Sequence, residues 1–204
     1  MKKHIVILDP FPRTLKLIFS KDKFKKLKLS YKLIYAPKIH KKNFYEKNIQ
    51  KASFIIGQPD LPKEILIKAK NLKAIINVES NFMNNMDYQY CFKKGIYVIA
   101  TSPVFSKPVA EIALGMTLSL LRNIHNAHLD FIKGKEKYGL ESNLKASLLS
   151  GKKIGLIGFG DLAKSLYPLL LPFSKDINVY DPWISKLNIQ KLGFKSISLN
   201  KIFE

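Results

Sequence analysis

The sequence predicts an α/β protein made of two doubly wound units, each a parallel sheet flanked by helices. Three observations carry this expectation. Short apolar runs alternate with helix-like stretches through residues 1–101, that rhythm is interrupted at Thr101-Ser102-Pro103, and it restarts at Lys153. At the restart, four of the ten glycines (Gly151, Gly155, Gly158 and Gly160) crowd into ten residues. The strands read as continuous apolar runs, as expected when crossover helices bury both faces of a sheet.

In chain order, Ile5 to Leu8 is a strand stopped by the turn pair Asp9-Pro10. Thr14 to Leu27 has helical apolar spacing, with Phe24 and Leu27 facing inward from a lysine-rich end. Lys32 to Tyr35 is a second strand, and a short helix follows around Asn43 to Gln50. Ser53 to Ile56 is a third strand, and Pro62 falls just inside the next helix, where its missing N–H costs nothing. Ala74 to Asn77 is a fourth strand. Asp87 to Lys94 is a helix closed by Gly95, and Ile96 to Ala100 is a fifth strand. A long helix is expected from about Ser106 to Ile124, apolar around much of its circumference and hence buried. Residues 125–150 read as polar and irregular. Lys153 to Ile157, Leu162 to Leu170 and Ile177 to Tyr180 then give strand, helix and strand, with a short third strand within Lys191 to Ile197 and a further helix starting at Leu199.

Composition narrows the class. The chain of 204 residues is 47% hydrophobic, which excludes a disordered or low-complexity protein. Its one cysteine, Cys91, excludes an intrachain disulfide framework and a cysteine-rich zinc site. No apolar run approaches the roughly 18 residues that span a bilayer, so a soluble, cytoplasmic protein is expected. The net charge of +20 comes almost wholly from lysine, since Arg13 and Arg122 are the only arginines. Sites that read phosphates and bases favour the arginine fork. The lysines are therefore read as a solvated surface, and neither nucleic acid nor membrane is expected as a partner.

The glycine cluster carries chemistry. Between the strand ending at Ile157 and the helix opening at Leu162 lies Gly158-Phe159-Gly160-Asp161-Leu162-Ala163, a Gly-x-Gly-x-x-Ala dinucleotide fingerprint. Gly158 permits the tight turn, Gly160 lets a pyrophosphate approach the backbone, and Ala163 lets helix and strand pack closely. Unpaired N–H groups at the helix start then face the anion. Asp181 ends the next strand, 21 residues after Gly160, where the motif expects an acid on the ribose hydroxyls. A carboxylate there repels a 2′-phosphate, so NAD is favoured over NADP. The candidate cofactor-binding residues are Gly158, Phe159, Gly160, Asp161, Leu162 and Asp181.

These residues resemble the D-isomer-specific 2-hydroxyacid dehydrogenase family. Leu72-Lys-Ala-Ile-Ile, Asn84-Asn-Met-Asp87, Gly95-Ile-Tyr-Val98, Ser102-Pro103 and Val109-Ala-Glu111 follow the family's substrate-domain pattern in order and spacing. Leu149-Ser-Gly151, the fingerprint and Tyr180-Asp181-Pro182 follow its cofactor domain. The resemblance implies a flavodoxin-like substrate domain (1–101), an interdomain helix and linker (102–150) and the first half of a Rossmann domain (151–204). It also implies hydride transfer between NAD and C2 of a small 2-hydroxy or 2-oxo acid, and a homodimer paired through roughly residues 106–150. Where most members carry a Gly-x-Gly substrate loop, this chain has Ser80, Asn81 and Phe82. The family's Arg, carboxylate and His follow the Asp181 region, so the expectation is a truncated chain without catalytic residues or turnover of its own. The alternative is a non-catalytic NAD-binding or interaction module.

The remaining tempting residues read as structural. His125 and His128 share a helix face with Asp130 but lack further ligands, so no metal site is expected. His4 and His40 have no triad pattern around them. Cys91 reads as a buried thiol, Arg122 as a helix-end residue, and Glu111 as a hydrogen-bonding group.

Overall fold

The structure, a computed structural model, describes residues 3–79 and 82–204. The chain divides into two compact units, Met1–Ser102 and Pro103–Glu204.

The first unit runs β1 (Ile5–Asp9), α1 (Leu15–Ile18), α2 (Lys21–Ser30), β2 (Lys32–Tyr35) and α3 (Lys41–Asn48) with a 3-10 turn over Ile49–Lys51. It continues through β3 (Phe54–Gly57), α4 (Lys63–Leu66), β4 (Ala74–Ile76), α5 (Tyr88–Lys93) and β5 (Tyr97–Ile99). All five strands are parallel, in the order β2-β1-β3-β4-β5. That is the flavodoxin-like order, with its switch point between β1 and β3. Ile7, Ile55 and Ile75 form the sealed centre of the sheet, packed with Tyr45, Ile49, Leu66 and Cys91.

One expected helix is two. The stretch Thr14 to Leu27 breaks at Phe19, which is extended, and restarts at Ser20. The Thr14 hydroxyl caps α1 by accepting from Leu17 N, and the Ser20 hydroxyl caps α2 by accepting from Lys23 N. A serine offering its own hydrogen bond to the backbone competes with continuing a helix. Phe24 and Leu27 are half-buried. Pro62 caps α4 from outside it. Asp87 Oδ1 accepts from Tyr90 N to start α5, and Gly95 follows that helix at φ +70°.

The second unit contains nearly all of α6 (Ser102–Leu121), then α7 (Ile124–Ile132), α8 (Gly139–Asn143), β6 (Ile154–Ile157) and α9 (Asp161–Leu170). It ends with β7 (Ile177–Tyr180), α10 (Lys186–Lys191), β8 (Lys195–Ser196) and α11 (Leu199–Ile202). Its sheet is β6-β7-β8, parallel and separate from the first sheet. Leu156, Phe159, Leu170, Ile177, Val179 and Ile189 form its core, against which Leu114, Leu118 and Leu121 of α6 pack.

Four expectations are corrected here. Ser102 and Pro103 open α6 instead of interrupting the chain, because proline is tolerated in the first turn of a helix. α6 is not sealed: only Ser106 and Ala110 are buried, while Ile112, Met116 and Leu120 are open. By length and composition alone it is apolar enough to cross a membrane, which the charges Lys107 and Glu111 had concealed in the sequence. Residues 125–150 hold two helices, with Asn123 in the left-handed region (φ 54°) turning the chain between α6 and α7. α10 was also hidden; Ser185 starts it by accepting from Asn188 N.

Candidate functional site

The turn between β6 and α9 is built by its glycines and by one carboxylate. Gly158 adopts φ +90°, a conformation that a side chain would strain. Gly160 differs. It caps α9 at φ −77°, and a Cβ placed on it would meet nothing within 4 Å. The protein itself therefore imposes no steric demand for glycine at 160. Phe159 is fully buried and stands edge-on to Phe194, with ring centroids 4.5 Å apart, so only its backbone faces the turn. Asp161 and Leu162 open α9, and Ala163 packs on the core.

Asp181 ends the second strand and reaches back to this turn. Its Oδ2 accepts from Phe159 N at 2.6 Å. Its Oδ1 accepts from Trp183 N and Ile184 N, each at 2.7 Å. Burial works to raise its pKa, but the three backbone amides, with Lys164 behind them, outweigh burial and hold it below the usual carboxylate range. A carboxylate oxygen can accept two hydrogen bonds. Oδ1 is thus filled and Oδ2 keeps one place, directed from the end of β7. This tie between Asp181 and the glycine turn was not visible in the sequence, where spacing alone placed the acid.

In the first unit the polar groups gather at the carboxyl ends of the strands, where open α/β sheets bind their ligands. Asp9 ends β1 almost fully buried; Lys41 Nζ donates to its Oδ1 at 2.6 Å and Tyr45 OH to its Oδ2 at 3.1 Å. Burial, and then the charge of Asp9, pushes the Tyr45 phenol far above its ordinary range. Gly57 makes this arrangement possible, because a Cβ there would overlap the carbonyl oxygen of Asp9. Beyond them, Arg13 grips Glu79 with two bonds, Nε to Oε1 at 2.8 Å and Nη2 to Oε2 at 3.1 Å. Side chains of Gln58, Asn77 and Thr101 at the same edge keep buried polar atoms without partners.

Ser80 and Asn81 of the expected substrate loop lie outside the described residues. Phe82 is exposed and stands edge-on to Tyr88. The histidines do not cluster, and only His40, in the loop between β2 and α3, belongs to the carboxyl edge of its own unit. His4 Nδ1 lies 3.1 Å from Ser53 Oγ, His40 precedes α3, and His125 and His128 are exposed on α7. No local signal marks the Asp9–Lys41–Tyr45 cluster or the Arg13–Glu79 pair, whose members are far apart along the chain.

Residues 114–204 match the family described as D-isomer specific 2-hydroxyacid dehydrogenase, NAD binding domain. The chain is 35% identical, over 119 residues, to a hydroxypyruvate reductase of Thermotoga maritima, an alignment covering 58% of this chain and 38% of that protein. Among solved structures it is similar to a phosphoglycerate oxidoreductase from Rhizobium etli, with 40% identity and a TM-score of 0.79, covering 98% of this chain and 63% of that one. It is also similar to a D-lactate dehydrogenase from Aquifex aeolicus complexed with NAD and lactic acid, with 25% identity, a TM-score of 0.69 and coverage of 97% and 57%. The chain spans less than two thirds of the length of each of these relatives.

Proposed function

We propose that the chain belongs to the D-isomer-specific 2-hydroxyacid dehydrogenase family, with NAD as its cofactor, and that its second unit holds the adenosine half of NAD at the β6–α9 turn. The first unit then holds a small 2-hydroxy or 2-oxo acid at the carboxyl edge of its sheet. NAD, when bound, supplies the hydride acceptor or donor for C2 of the acid. The residues of this chain bind and orient. Backbone N–H groups at the start of α9, from Asp161 and Leu162, meet the pyrophosphate. The open place on Asp181 Oδ2 takes a ribose hydroxyl, and its charge disfavours a 2′-phosphate.

One observation carries this reading. Gly160 has an unstrained φ and open space around its missing Cβ, so its glycine serves something that approaches from outside the protein. Gly160→Val should therefore leave folding unchanged and abolish NADH binding. Quenching of Trp183, the sole tryptophan and an exposed neighbour of Asp181, reads the binding directly. NADH affinity that survives Gly160→Val would overturn the assignment.

We also propose that these 204 residues alone do not turn over substrate. Reduction of a 2-oxo acid needs a positioned proton donor, and among the described residues no histidine is paired with a carboxylate that would orient it. NADH oxidation by the purified chain with hydroxypyruvate or glyoxylate would refute this. We further propose that the chain is cytoplasmic and pairs with a second copy of itself; the open Ile112, Met116 and Leu120 on α6 support the pairing, since unpartnered apolar faces favour association, and sedimentation tests it.

A further inference from the structure

Among the described residues, Trp183 is the most exposed large apolar side chain, at 92%. Folded proteins keep most of a tryptophan's large apolar surface covered. The backbone beneath this one is firmly held. Asp181 Oδ1 accepts from Trp183 N and from Ile184 N, each at 2.7 Å. Pro182 restricts the chain just before it. Ile184 packs onto the core of the second unit, and the Ser185 hydroxyl then starts α10 by accepting from Asn188 N. Residue 183 is thus pinned on both sides while its side chain stands in solvent. A short polar residue would complete such a turn without exposing that surface.

The position of the indole decides what it can meet. Trp183 N and Phe159 N donate to the two oxygens of one carboxylate, so residue 183 and the Gly158–Gly160 turn are held by the same side chain. Oδ2 of that carboxylate has one accepting place left. A ribose whose hydroxyl fills the place holds its base only a few bonds away, beside the residue that shares the carboxylate.

We propose that Trp183 is the platform on which the base of the dinucleotide stacks. This rests on the assignment of the adenosine half to the β6–α9 turn, and adds the group that selects the base. An indole binds a base through its π-face, which rewards ring area and ignores the hydrogen-bonding edge. The site therefore favours purines over pyrimidines and discriminates little between adenine and hypoxanthine.

The test titrates the whole chain with ADP, inosine diphosphate, cytidine diphosphate and NADH by calorimetry, and follows the adenine ring protons of ADP by NMR. ADP and inosine diphosphate should bind within about threefold of each other, and cytidine diphosphate several-fold more weakly. The adenine protons should move upfield in the ring current of the indole. Trp183→Ala should weaken ADP and NADH by about tenfold or more and remove the upfield shift. Trp183→Phe should recover most of the affinity; Trp183→Leu, apolar but without a ring, should not. All three variants should keep the native melting midpoint, because so exposed a side chain adds little to the fold. Unchanged ADP affinity in Trp183→Ala, equal recovery by leucine and phenylalanine, or a gap of about tenfold between ADP and inosine diphosphate would each overturn the platform. The turn assignment would still stand in those cases if Gly160→Val abolishes NADH binding. A native chain that binds neither ADP nor NADH would overturn both.

Discussion

At the carboxyl ends of their strands, the first unit closes its sheet with side chains and the second closes its sheet with backbone. Asp9 in the first is buried and satisfied by an ammonium and a phenol from α3. Asp181 in the second is satisfied by three amides of its own neighbourhood. A carboxylate held by backbone amides keeps its partners through most substitutions, because every residue except proline supplies the N–H. A carboxylate held by side chains depends on the identity of residues elsewhere. The second edge therefore holds its form through most substitutions, and the first can be remodelled by changing single side chains.

The largest expected effect tests how tightly the first edge is packed. Gly57→Val puts a branched side chain into the Asp9 backbone between two central strands, and should cost about 3 kcal/mol or more. Urea unfolding measures it; a variant as stable as the native chain would show that β1 and β3 can separate freely. Next comes Lys41→Met, which leaves Asp9 buried with Tyr45 as its one remaining partner. Removing one member of a buried pair costs about 3–5 kcal/mol, and because Lys41 is partly exposed we expect less than that, about 2–3 kcal/mol.

Asp181→Asn should be milder, about 1–2 kcal/mol: its one oxygen can still accept from Trp183 N and Ile184 N, while its NH2 then faces the Phe159 N–H, donor against donor. Its pH dependence has a definite sign. The folded pKa of Asp181 lies below its unfolded value, so its stabilisation is complete above the ordinary carboxylate pKa, about 3.9. That stabilisation is lost as pH falls through the lower folded value. Native and Asp181→Asn chains should differ in urea midpoint at pH 6 and converge toward pH 3. The smallest effect is expected for Arg13→Ala, since exposed ion pairs contribute little despite good geometry. Its melting midpoint should stay within replicate scatter; a shift of several degrees would place Arg13–Glu79 among the supports of the first edge.

Much of this molecule was legible from local signals. Strands such as Ile177 to Tyr180 announced themselves as short apolar runs, and the Gly158–Gly160 turn combined a strand, two glycines and a helix start within a few residues. α6 was placed four residues late, because Thr101-Ser102-Pro103 signals a chain break and the start of a helix with the same residue types. The break at Phe19–Ser20 was missed because apolar spacing continued across it while a hydroxyl cap ended it. The first edge was illegible for a different reason. Asp9 and Lys41, or Arg13 and Glu79, meet only after β1, β3 and β4 have aligned.

Cys91 lies sealed in the first unit's core, and burial, followed by the charge of Asp87, pushes its thiol up to about 11. A thiol so placed reacts only when α5 lifts from the sheet. Because the chain has one cysteine, its alkylation rate becomes a stopwatch for that opening. Tyr45, Leu66 and Ile75 belong to the same cluster, so the rate reports how often the first unit comes apart while the rest of the chain stays silent to the reagent.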